Sequence, residues 1–185
     1  MASGPIPDTI SLIGMPGAGK STVGVILAKL AGLRFADTDL EIQLHAGATL
    51  QEILERDGYL HLRALEERVL LALPLDGAII STGGSVVYSE AVMQRLQEAG
   101  PLVYLEADLP TLEQRVAAAP LRGIASDPDQ GYAQVFAERT PLYRRYADIT
   151  VDAAPGSADQ VAADILTRIR ETYRPDVDAY GRVQT

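Results

Sequence analysis

The 185-residue chain has the length of one compact domain, and its 47% hydrophobic and 22% charged residues fit an ordinary globular core. Sixteen basic against 25 acidic residues leave −9 at neutral pH, which excludes the broad positive face of a general nucleic-acid binder but not a local cationic pocket. With no cysteine and two histidines, His45 and His61, disulfides, thiolate metal sites and cysteine nucleophiles are excluded, and a His-rich metal site is not expected.

In chain order, MASGPIPD has neither a basic nor an apolar stretch, so no signal peptide is expected. No apolar run approaches the ~18 residues of a membrane span, and a cytoplasmic protein without membrane or nucleic-acid partners is expected. Thr9–Gly14 reads as a buried strand ending at glycine, and Lys20–Ala31 as a helix with Val23, Ile26, Leu27 and Leu30 on one face. Arg34–Asp37 is a short strand and Leu40–His45 a helix. Leu50–Leu73 is a longer helical region broken near Gly58, in which Val69–Leu75 reads as core. Ala78–Thr82 is an apolar strand stopped by Gly83-Gly84, Glu90–Ala99 a helix closed by Gly100, Leu102–Leu105 a strand and Thr111–Ala118 a helix. Residues 119–131, with two prolines and two glycines, read as a flexible loop and lid candidate. Ala133–Tyr146 is helical around Pro141, Ile149–Val151 is a last strand and Gln160–Tyr173 a closing helix. Residues 1–173 then form one domain, and 174–185 a polar tail.

Strands alternating with helices predict βαβ units and a parallel sheet covered on both faces, with ligands beyond the carboxyl ends of the strands. There lies Gly14-Met15-Pro16-Gly17-Ala18-Gly19-Lys20-Ser21, a full match to G-x-x-x-x-G-K-[ST] between a strand and a helix. Its glycines let backbone N–H groups wrap a phosphate, and the following helix turns its positive end to the same anion. Lys20 adds charge at the outer phosphates, and the Ser21 hydroxyl is placed to ligate Mg²⁺. Only one other lysine, Lys29, exists in the chain.

A phosphate turn does not choose a reaction. The N-K-x-D signature of a guanine-nucleotide switch is absent. Asp37-Thr38-Asp39 follows the second strand. One carboxylate there can hold Mg²⁺ while the other accepts a hydrogen bond from an acceptor hydroxyl; alternatively, the pair caps the next helix.

Taken in order, GMPGAGKST at 14–22, DTD at 37–39, LRALEE at 62–67, STGGS at 81–85, an arginine loop around Arg122 and ERTPLYRRYAD at 138–148 resemble the shikimate kinase family of P-loop small-molecule kinases, over residues 10 to 169. The resemblance implies a three-layer α/β fold of the P-loop NTPase type, with a five-stranded parallel sheet, a helical substrate-binding region at about 38–73 and a small lid. It implies ATP and Mg²⁺ as cofactors and a small carboxylate as the partner, bound by a monomer. Gly14, Gly17, Ala18, Gly19, Lys20, Ser21 and Thr22 would hold ATP; Arg115 would stack on adenine. Ser21 and Asp37 would serve the metal. Asp39 would take the acceptor hydroxyl, as a possible base. Arg63 and Arg139 would hold the substrate carboxylate near Gly83, Gly84 and Ser85. Arg122 would close on the transferring phosphate, making Lys20, Asp39 and Arg122 the catalytic set.

Two departures lie at the substrate end. Ser85 stands where the family has a third glycine, set either to intrude or to donate a new hydrogen bond, and Arg122-Gly123-Ile124 replaces Arg-Pro-Leu. Shikimate is the expected acceptor, with homoserine or another hydroxy acid as the alternative and a non-catalytic nucleotide-binding module as the second.

Overall fold

The computed structural model describes residues 6–119 and 123–173. Arg122 and the 174–185 tail lie outside the described residues. Five parallel strands make one sheet: β1 (Thr9–Ile13), β2 (Arg34–Asp37), β3 (Ala78–Ser81), β4 (Leu102–Glu106) and β5 (Ile149–Asp152), in the order β2-β3-β1-β4-β5. The central strands are apolar along their length because both sheet faces are covered. Leu12 pairs with Ser81 on one side and Val103 on the other, so the chain leaves β1 with a neighbour on each hand. The strand order changes direction there, and this is where such sheets bind ligands.

The helices are α1 (Lys20–Ala31), α2 (Thr38–Ala46), α3 (Leu50–Asp57), α4 (Tyr59–Ala72), α5 (Glu90–Ala99), α6 (Leu109–Ala118), α7 (Tyr132–Tyr146) and α8 (Ala158–Thr172), with a 3₁₀ turn at Val86–Tyr88. Helices α1 and α8 pack together as one layer; α5 and α7 pack on β1 and β4 as part of the other. The break near Gly58 separates α3 from α4.

One expectation fails in α1. Leu30 is 51% exposed, and the buried stripe runs through Lys20, Val23, Gly24, Leu27 and Ala28. At 3.6 residues per turn that stripe is centred near Gly24 and Leu27, and Leu30 falls about a quarter-turn off it. The small residues, not the largest ones, mark the packed face, because they let the helix lie close to its neighbours. Val69–Leu75 is only partly core: Leu70 and Leu75 are buried while Leu71 is 43% exposed. The apolar residues form two clusters. The larger surrounds the sheet; a smaller one joins α2, α3 and α4 through Ile42, Leu50, Ile53, Leu62 and Leu65 and includes Ala125.

Candidate active site

The turn from β1 into α1 is shaped by its glycines. Gly17 and Gly19 hold left-handed backbone, φ 88° and 90°, and no non-glycine among the described residues does so. At Gly14 (φ 145°) a Cβ would lie 2.8 Å from the Leu105 carbonyl of β4, so a side chain would push the turn off the sheet. Lys20 opens α1 at 8% exposure, and its Nζ donates to the carbonyls of Gly14 at 2.8 Å and Met15 at 3.0 Å. The ammonium thus crosses the mouth of the turn, on the side where an anion would sit. Tyr132 of α7 braces the same turn, donating from Oη to the Pro16 carbonyl at 2.5 Å. Burial pushes the Tyr132 hydroxyl well above its ordinary pKa, which keeps it a donor.

A cavity of about 210 Å³ opens beyond the strand ends. Gly17, Gly19, Lys20, Ser21 and Thr22 form one side of it. Asp39, Gly83, Gly84 and Ser85 form another, and Arg115, Arg139 and Gly123–Ala125 complete the wall. Gly14 and Ala18 are buried beneath the turn instead. Ser21 Oγ lies 3.4 Å from Ser81 Oγ at the end of β3. Arg115 is tethered through Nη2 to the carbonyls of Ala153 and Ala154, at 2.9 and 3.2 Å, after β5.

Asp37 caps α2. Its Oδ1 accepts from the Asp39 N–H at 3.0 Å, and it does not line the cavity, whereas Asp39 does. The buried Thr38 between them accepts at Oγ1 from the Gly83 N–H, 2.9 Å away, fastening the acidic turn to the glycine turn. Arg139 is 1% exposed; its Nη2 donates to the Ala125 carbonyl at 2.7 Å and its Nε to Tyr88 Oη at 3.3 Å. Arg63 is not on the cavity wall. Its Nε donates to the same Ala125 carbonyl at 3.1 Å, and its guanidinium lies 4.0 Å from the centre of the Tyr88 ring.

Glu66 was not among the expected site residues, yet it lines the cavity at 4% exposure. Ser85 Oγ donates to its Oε2, so the serine at the third-glycine position makes the new hydrogen bond. Oε1 makes no hydrogen bond and lies where a Cβ on Gly83 would collide with it, at 2.0 Å. Burial is the main cause that pushes this carboxyl up to about 7. The Ser85 hydrogen bond opposes the rise, Asp39 adds to it, and Arg139 and Lys20 oppose it. One signal for Glu66 was present in the sequence: it sits on the apolar stripe of α4 with Leu62, Leu65 and Leu70, where a charged residue needs a reason. Nothing local announced Tyr132, and Tyr143 entered only as part of ERTPLYRRYAD. Tyr143 is fully buried, stacks on Tyr104 with ring centres 5.2 Å apart, and donates to the Gly84 carbonyl.

Known proteins match this chain along most of its length. The family model for shikimate kinase covers residues 16–170. Shikimate kinase 2 of Enterobacter sp. (strain 638) is 37% identical over 166 residues, covering 87% of this chain and 95% of the relative. The shikimate kinase of Mycobacterium avium (strain 104) is 39% identical over 165 residues, covering 87% and 93%. Among solved structures, shikimate kinase from Acinetobacter baumannii in complex with shikimate superimposes with a TM-score of 0.79 at 32% identity, covering 88% of this chain and 93% of that one.

Proposed function

Because this chain belongs to the shikimate kinase family, we propose that it moves the γ-phosphoryl group of ATP to a hydroxyl of shikimate. The observation that carries the reading is one cavity shared by Lys20, Asp39 and Arg139: a cation for phosphate, a carboxylate for a hydroxyl and a buried cation for an acid. The glycine turn fits a nucleotide's phosphates, since a Cβ at Gly14 would strike β4 and the positive-φ positions leave N–H groups able to point at the anion. Lys20 exchanges its two carbonyls for the outer phosphates, and Arg115, anchored to the carbonyls after β5, faces the base.

Ser21 and the DTD turn supply hard oxygen donors, the type that suits Mg²⁺, which would neutralise charge on the transferring group. Ser21 and Asp37 would hold the ion, although Asp37 Oδ1 also caps α2. Asp39 orients the acceptor hydroxyl and takes its proton as the new bond forms. Arg63 and Arg139 take the acceptor carboxylate, beside Gly83, Gly84 and Ser85, while Arg122 completes the charge at the phosphate. Residues 38–73 serve as the acceptor-binding region and 119–131 as the lid of a kinase unit that works as a monomer. No described helix is long and apolar enough to cross a membrane.

Purified protein assayed for ADP release with ATP and Mg²⁺ is expected to respond to shikimate and not to homoserine. Lys20→Ala is expected to lower turnover by about a thousandfold or more, the scale of removing a principal transition-state charge. Equal turnover of both acids, or full activity without Lys20, would refute the assignment.

A further inference from the structure

Tyr88 ends the 3₁₀ turn that follows the glycines after β3. Its N–H donates to the Ser85 carbonyl at 3.1 Å, Val86 and Val87 before it are buried in the larger apolar cluster, and Ser89 after it caps α5. The backbone beneath the ring is therefore fixed from both sides. The side chain meets two cations. The Arg63 guanidinium of α4 lies over the ring, 4.0 Å from its centre, and Arg139 Nε of α7 donates to the hydroxyl at 3.3 Å. Tyr59, the first residue of α4, adds a second ring 5.1 Å from the Arg63 guanidinium. The Tyr88 hydroxyl also hydrogen-bonds Glu138, and this is the first cause that holds the Glu138 carboxyl below the ordinary carboxylate range. Burial, and after it Glu138, pushes the Tyr88 hydroxyl above its own ordinary pKa, so it keeps the proton it donates. A hydroxyl that donates to a carboxylate has its lone pairs left for Arg139.

The two arginines need such a partner. Both reach the Ala125 carbonyl, at 3.1 and 2.7 Å, so two like charges stand close together and repel. One neutral carbonyl offsets little of that repulsion. The negative face of the Tyr88 ring and the oxygen at its edge, turned to one arginine each, offset more. Arg139 lines the acceptor cavity, and Arg63 stands beside it, giving the carbonyl its Nε so that the terminal groups of its fork can turn to an acid. We propose that Tyr88 is a positioning residue for the acceptor: its ring and its hydroxyl hold Arg63 and Arg139 together as one receptor for the acceptor carboxylate. The proposal rests on the kinase reading, in which these two arginines take the acid, and adds the residue that keeps the pair set. An entering acid then meets cations that are already ordered, and its affinity gains by that much.

Steady-state kinetics on the full chain test it, with Tyr88→Phe keeping the ring and Tyr88→Leu keeping neither ring nor hydroxyl. Tyr88→Phe is expected to raise the KM for shikimate about fivefold and Tyr88→Leu about fiftyfold, with the KM for ATP within about twofold in both. A structural role alone would not give this graded rise: what the phenyl ring recovers reports the hold on Arg63, and the remainder reports the hold on Arg139. A shikimate KM that stays put in Tyr88→Leu, or an ATP KM that climbs with it, overturns the proposal. Proton–nitrogen NMR of the arginine Nε–H groups, with neither nucleotide nor acid added, gives the second readout, its signals assigned through Arg63→Lys and Arg139→Lys. The Tyr88 ring shifts the Arg63 signal upfield, and that shift is expected to survive in Tyr88→Phe and to be largely lost in Tyr88→Leu. The Arg139 Nε–H is expected to exchange about tenfold faster in both variants. Tyr88→Phe carries the test by itself should Tyr88→Leu not fold: unaltered exchange at Arg139 refutes the hold of the hydroxyl. Wild-type protein that leaves shikimate unphosphorylated refutes the kinase reading instead, while the NMR signals still decide whether Tyr88 holds the two arginines.

Discussion

Glu66 illustrates what a single enclosed carboxyl does to the stability of the molecule. Unfolded, it titrates near its ordinary 4.5; folded, it is pushed up to about 7, chiefly by burial. Between those values the folded state holds a proton that the unfolded state has released. Stability therefore falls as pH rises from about 4.5 to about 7, by roughly 3 kcal/mol for this group, and is flat outside that window. Glu66→Gln cannot titrate and still offers an oxygen to Ser85. Denaturant midpoints measured at pH 5 and pH 7.5 are expected to differ more in wild type than in Glu66→Gln, and identical differences would remove Glu66 from the account. Around it sit Asp39 from α2, Lys20 from α1, and Arg139 and Tyr143 from α7, so the charge that Glu66 carries is felt across the whole acceptor side. Spacing put Glu66 on the apolar stripe of α4 but did not give its partner. Ser85 meets Glu66 across 19 residues of chain, and only the packing of α4 against the turn after β3 brings them together. The phosphate turn was legible because its chemistry lies in consecutive residues and its glycines are demanded by backbone geometry.

At the scale of elements, the alternation of apolar runs and helical stretches placed all five strands; β1, β3 and β4 are buried on both faces and have no polar side to disguise them, while β2 and β5 at the sheet edges keep exposed residues. Helix faces were harder. The α1 stripe misled because Gly24 and Ala28, rather than Leu30, do the close packing; a Cβ on Gly24 would come 2.6 Å from the Phe35 ring. Glycine at a helix end is ambiguous in the same way. Gly100 closes α5 with extended backbone, φ 164°, that any residue adopts, so a conformational argument predicts tolerance there. The surroundings predict the opposite: its Cβ would stand 2.0 Å from the carbonyl oxygen of Thr9, a backbone atom of the central strand β1. Gly100→Ala is accordingly expected to cost about 3 kcal/mol, at the upper end for overpacking, since either β1 or the end of α5 must move. Thermal unfolding with circular dichroism checks it. A loss below about half a kcal/mol, the ordinary surface value, would show that the turn yields freely.

Across the whole molecule, two apolar clusters imply two degrees of permanence. The larger one grips the sheet between the α1–α8 layer and the α5–α7 layer, and it holds the phosphate turn rigid from below. The smaller one joins α2, α3 and α4 around Ile53, which is fully buried, and Ala125 belongs to it. Asp39 and Arg63 stand on these helices, and Glu66 with them, so this part of the acceptor side rests on the smaller core, while Arg139 and the Gly83–Ser85 turn stand on the larger. Unfolding that part exposes less apolar surface than unfolding the sheet, so it opens at lower free energy. Ile53→Ala removes a large share of so small a core and is expected to cost about 2–4 kcal/mol there. Native-state hydrogen exchange should then show amides of residues 38–57 opening about thirtyfold or more faster, with β1 and β4 amides nearly unchanged. Leu27→Ala, in the larger core beneath the phosphate turn, should instead weaken protection throughout the chain. If Ile53→Ala accelerates exchange in the sheet as much as in α2 and α3, the two clusters unfold as one unit, and the acceptor side has no independent freedom to open around an entering acid.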